Sequence, residues 1–125
     1  MKRIGDLFQT GDWKGEKHVP VINSPEKAKK GDVIEVNVNI GEEIPHPNTQ
    51  EHYIAWIKLF FQPEGAKFPV EIGSYEFKSH GEQGLFTEPY VTTKFKVEKS
   101  GTLYATSYCN IHGLWDNSKE LIVED

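Results

Sequence analysis

At 125 residues the chain has the length of one domain, residues 1–125, long enough to bury roughly two-thirds or more of the surface its unfolded form exposes. A formal charge of −5, with no block of Lys and Arg to override it, excludes a nucleic-acid-binding surface. No stretch reaches transmembrane length, and Gly5, Asp6, Gln9 and Asp12 interrupt any apolar signal core behind Lys2 and Arg3, so no membrane association is expected. The single cysteine rules out an intramolecular disulfide, and an unpaired thiol points to the reducing cytoplasm.

Taken in chain order, residues 4–8 read as a short helix and residues 19–22 as a first strand. Residues 27–30 form the densest basic stretch and read as a solvated turn. Ile34, Val36, Val38 and Ile40 alternate with Glu35, Asn37 and Asn39, which gives a strand with one dry and one wet face, as antiparallel sheets require. Residues 53–61 suit a central strand, with Ile57, Leu59 and Phe61 on one face and Trp56, Lys58 and Phe60 on the other. Trp56, Phe60 and Phe61 are expected to pack in the core.

Residues 70–77, 91–97, 103–108 and 121–123 complete a set of about seven strands, with residues 99–102 as a hairpin connection. Short strands with almost no helical period define an all-β chain, an immunoglobulin-like antiparallel β-sandwich.

Three clusters carry chemistry. Cys109-Asn110-Ile111-His112-Gly113 sets a thiol and an imidazole three positions apart, a spacing that can hold one metal ion from two sides. Glu16-Lys17-His18 lies just before the first strand. Pro45-His46-Pro47 is followed by Glu51-His52, and the two prolines hold His46 on an extended, stiff segment.

Each cluster has a plainer reading. A lone cysteine is commonly a small buried hydrophobe, and Glu16-Lys17-His18 by itself is a charged surface loop. Together, however, one sulfur, four imidazoles and one carboxylate are more donors than a tetrahedral zinc site uses, which points to a transition metal of higher coordination number, iron. His80 stands before Gly81 with no second donor nearby in sequence and reads as an ordinary surface histidine.

At Glu16-Lys17-His18-Val19-Pro20, His46-Pro47-Asn48-Thr49 with His52, and Cys109-Asn110-Ile111-His112-Gly113, the chain resembles the superoxide reductases of the one-iron type, also called neelaredoxins. Gly11-Asp12-Trp13-Lys14 and Ser107-Tyr108 extend the resemblance over nearly the whole chain. It implies one mononuclear non-haem iron with His18, His46, His52 and His112 in its equator and Cys109 axial, opposite an open position. Glu16 would take that position in the oxidised resting state, and Lys17 would stand beside it without ligating. It further implies reduction of superoxide to hydrogen peroxide, re-reduction by a rubredoxin-like donor, and a homotetramer. A branch of the family has an added module with a four-cysteine iron centre, for which this chain has no cysteines.

Two other classes compete. A cupredoxin also sets Cys and His on one loop of a β-sandwich, but it needs two histidines, a cysteine and usually an axial methionine, and the sole methionine is Met1. A structural zinc protein leaves donors over.

Overall fold

The computed structural model describes residues 3–125; Met1 and Lys2 lie outside them. Eight strands follow in order: β1 (Pro20–Asn23), β2 (Lys27–Lys29), β3 (Val33–Ile40), β4 (Ile54–Pro63), β5 (Val70–Glu76), β6 (Tyr90–Lys96), β7 (Gly101–Cys109) and β8 (Gly113–Glu124). Among the described residues the helical turns are the 3-10 segments Ile4–Leu7 and Glu82–Gly84. One sheet has the order β1-β3-β6 and the other β2-β8-β7-β4-β5, so the expected two-layer sandwich forms.

The alternation in β3 works as its sequence dictates. Ile34, Val36, Val38 and Ile40 are buried in one cluster with Ile57 and Leu59 of β4, Leu103 and Ala105 of β7 and Leu121 of β8. Each of these Val, Ile and Leu side chains contributes about 1.5–3 kcal/mol by leaving water. Asn39 is buried as well, because its amide donates to Asn37 and Glu42 across the outer face of the sheet.

β4 lies between β7 and β5, and its pairing with β7 slips by one residue between Ile54 and Trp56. Ala55 is the extra residue of this β-bulge. β7 turns into β8 with Cys109 paired to Gly113, so the Cys-x-x-His motif is itself the hairpin connection. Gly113 sits at φ +84, where a residue without Cβ closes the turn at no steric cost.

Four expectations change. Residues 27–29 are a strand, parallel to β8, rather than a solvated turn: the backbone pairs with Ile122 to Glu124 and only Ala28 packs inward, while both lysines stay exposed. Residues 99–102 are not a hairpin, since β6 and β7 belong to different sheets and the segment crosses between layers. Of the three aromatic residues, only Phe61 enters the core; Trp56 and Phe60 are half-buried on the outer face, where Lys58 lies over the Trp56 ring. His80 is half-buried, stacked on Tyr53 at 3.6 Å between ring centroids, and its Nε2–H donates to the Phe77 carbonyl at 2.6 Å.

Candidate metal centre

The core runs up to Cys109, which is fully buried at the end of β7. Three segments converge on it: the approach to β1, the long connection from β3 to β4, and the β7–β8 turn. The sulfur lies 3.2 Å from His52 Nε2, 3.5 Å from His46 Nε2 and 3.8 Å from His112 Nδ1. His18, His46, His52 and Cys109 hold their ligand atoms within 4.8 Å of one another. His112 completes the group through His18, whose Nε2 stands 3.0 Å from His112 Nδ1.

Local contacts set which nitrogen faces inward. The backbone N–H of His18 donates to Glu16 Oε1 at 3.0 Å, and its ring Nδ1–H donates to the same oxygen at 2.6 Å, leaving Nε2 unprotonated toward the cluster. His46 Nδ1–H donates to the Pro47 carbonyl at 2.6 Å, with the same result. His52 is held by the turn it makes with Thr49, whose Oγ1 accepts its backbone N–H at 3.1 Å and whose own N–H donates to the His52 carbonyl. His46 is also fixed sterically: a Cβ on Gly41, at φ +92, would meet His46 N at 2.5 Å, so only glycine lets the loop fold back so tightly.

Burial lowers the pKa of His46 to about 4, which keeps it a neutral donor at ordinary pH. Burial also lowers that of His52, and the charges of His112, His18 and Lys17 add to the effect. The pKa of Glu16 is lowered chiefly by its hydrogen bond with the His18 side chain. Inward-aimed imidazoles around a buried thiol are the donor chemistry of a soft or borderline transition metal, and four nitrogens with one sulfur suit an ion that takes more than four ligands.

Every expected donor is therefore at this end of the sandwich, with the Glu16 carboxylate turned to His18 rather than to the other donors. Lys17 is half-buried on the same segment. Three residues not singled out as part of the site hold it together. Asn110 ties the turn to the His52 segment, accepting from Tyr53 N–H and donating to the Glu51 carbonyl, both at 2.9 Å. Trp115 and Gln9 both donate to the carbonyl of His112, at 3.2 and 2.7 Å. Asn110 lies inside the motif and could have been suspected. Gln9 is 103 residues from its acceptor, so nothing local in the sequence announces it.

Residues 10–118 match the desulfoferrodoxin family model, and the chain belongs to that family. A superoxide reductase from Pyrococcus abyssi is 55% identical over 118 residues, covering 94% of this chain and 98% of the relative. A neelaredoxin from Megalodesulfovibrio gigas is 47% identical over 129 residues, covering 98% and 99%. The solved structure of a superoxide reductase (neelaredoxin) from Archaeoglobus fulgidus in the reduced form superposes with a TM-score of 0.86 at 55% identity, covering 93% of this chain and 98% of that one. The resemblance carried by the three motifs is borne out. Among the described residues no helix is long and apolar enough to cross a membrane.

Proposed function

We infer that this chain is a superoxide reductase, joining superoxide, one electron and two protons into hydrogen peroxide, at one iron held by His18, His46, His52, His112 and Cys109. The observation that carries this reading is the gathering of four imidazole nitrogens around one buried thiol. Bound there, iron supplies the transferable electron and a coordination position for a small anion.

The protein's own groups do the rest. The Cys109 thiolate, out of reach of water, is the one anionic donor of the set and supplies electron density. The backbone N–H of His112 donates to its sulfur from 3.3 Å and shares that charge. Because the chain is acidic overall, attraction of superoxide has to be local, and Lys17 is the cation that provides it. Lys17 is half-buried and adjoins His18 in the chain, which supports a position close to the cluster. The Lys17 ammonium would organise the water that delivers protons, and the Glu16 carboxylate, held beside His18, is the group placed to cover the open position.

A rubredoxin-type one-electron donor restores the reduced state. Location in the cytoplasm accords with the free thiol. A homotetramer would cover large apolar side chains that stand exposed, Phe68, Val70 and Tyr90 among them, and sedimentation analysis tests it.

The functional reading is tested by metal analysis of freshly purified protein together with its visible spectrum after oxidation and its rate of superoxide consumption. Iron, a thiolate charge-transfer band and rapid consumption are expected. An intense blue copper band, or iron-loaded protein inert to superoxide, overturns the assignment.

A further inference from the structure

His112 is the one proposed ligand whose residue is exposed; the others are buried or half-buried. Core packing therefore does not hold it. Its backbone does: the carbonyl accepts from Gln9 Nε2 at 2.7 Å and from Trp115 Nε1 at 3.2 Å. Gln9 Nε2 also reaches the Leu114 carbonyl at 3.5 Å.

Gln9 is itself anchored. It forms a single parallel bridge with Trp115, donating its N–H to the Leu114 carbonyl at 3.0 Å and accepting from Asp116 N–H at 2.9 Å. Thr10 Oγ1 donates to the Asp116 carbonyl at 2.9 Å beside it. A segment near the N-terminus thus straps the turn that presents His112 Nδ1.

The consequence concerns the choice of metal. Without His112 the remaining donors are His18, His46, His52 and Cys109, within 4.8 Å of one another. That is the number and kind of ligand a closed tetrahedral zinc site takes. Intrinsic affinities already favour zinc and copper over ferrous iron, so a fifth donor is what tilts the site toward iron.

We propose that Gln9 is a positioning residue for metal selectivity: by holding the His112 carbonyl it keeps the fifth donor on the site and disfavours zinc. The proposal rests on the five-ligand iron reading given above.

Three variants of the full chain test it, purified from one medium and compared with the parent for zinc and iron content and for the visible spectrum of the oxidised form. Gln9→Glu sets an acceptor against the carbonyl. Its zinc-to-iron ratio should rise on the order of tenfold, with a weaker charge-transfer band per iron. Gln9→Arg keeps N–H donors at the position and should hold the parental ratio and band. The two substitutions change charge in opposite senses, and charge acts alike on two divalent ions, so the ratio reads coordination rather than electrostatics. His112→Ala is the reference and should shift the ratio at least as far as Gln9→Glu.

Parental ratio and band in Gln9→Glu, with a shift in His112→Ala, overturn the role of Gln9. A parental ratio and band in His112→Ala instead show that His112 is not a ligand, and the proposal falls with that reading.

Discussion

Trp115 lies flat against His18, ring centroids 4.9 Å apart and planes 13° from parallel, while its Nε1–H donates to the His112 carbonyl. One indole therefore sets both imidazoles whose facing nitrogens stand 3.0 Å apart. The β8 strand, which carries Trp115, thus does for the exposed side of the site what the core does for Cys109. Rigid support of this kind keeps donors in place at little further entropic cost when a ligand arrives.

Cys109→Ser should be the most damaging single change at the centre, because it removes the only soft anionic donor while nearly conserving volume. The protein should fold. Iron content should fall by more than about tenfold, taking the charge-transfer band and superoxide reduction with it. Metal analysis and the visible spectrum check this, and a variant that keeps the band shows that the thiolate is not a ligand.

Glu16 has two separable tasks, since its carboxylate is bonded to His18 and is also the proposed sixth ligand of the oxidised state. Glu16→Gln keeps an oxygen to accept from His18 and loses the charge. It should change the oxidised spectrum while leaving iron content and the reduction step near parental values. Glu16→Ala frees the His18 ring as well, so its iron should dissociate faster under chelator challenge, by about tenfold. Equal dissociation from the two variants removes the orienting task.

Lys17→Ala should load iron normally but react more slowly with superoxide, by about fivefold, the equivalent of about 1 kcal/mol of lost attraction in a water-exposed setting. The decline of the rate with added salt should also become shallower. Lys17→Arg should recover most of the encounter rate. Pulse-radiolysis rates at several ionic strengths decide it: identical salt slopes for parent and Lys17→Ala take Lys17 out of the mechanism.

Removal of the metal should expose a pH-dependent weakness. Burial holds the His46 pKa near 4 in the folded chain, against about 6.5 unfolded, so the unfolded state binds more protons between those values. Stability of chelated protein should be complete above about pH 6.5 and decline as pH falls toward 4, by up to about 3 kcal/mol. His52 shifts in the same direction and adds to the loss. Urea midpoints across that range measure the slope, and His46→Gln should flatten it.

The three candidate donor clusters are legible because each is short and contiguous and uses residue types seldom placed together by chance. β3 was legible because one face is dry and the other wet. β8 shows in the sequence only over residues 121–123, because Asp116 to Glu120 is polar and the strand exists through its backbone pairing with β7. The same reason hid β2, which has a single inward residue. His80 looked solitary because its partner Tyr53 lies on a separate segment. The strap at Gln9 was invisible, being a backbone bridge whose side chain could have been almost any donor.

The bulge at Ala55 gives the chain one residue to spare at the boundary between framework and chemistry. Because the extra residue falls between Ile54 and Trp56, deleting it leaves Ile54 and Ile57 facing inward and merely straightens the strand. What should be lost is the bend at the point where the chain arrives from His46 and His52. A chain lacking Ala55 should keep a native near-ultraviolet signature and yet purify without iron, so that folding and metal loading come apart at a residue outside the proposed ligand set.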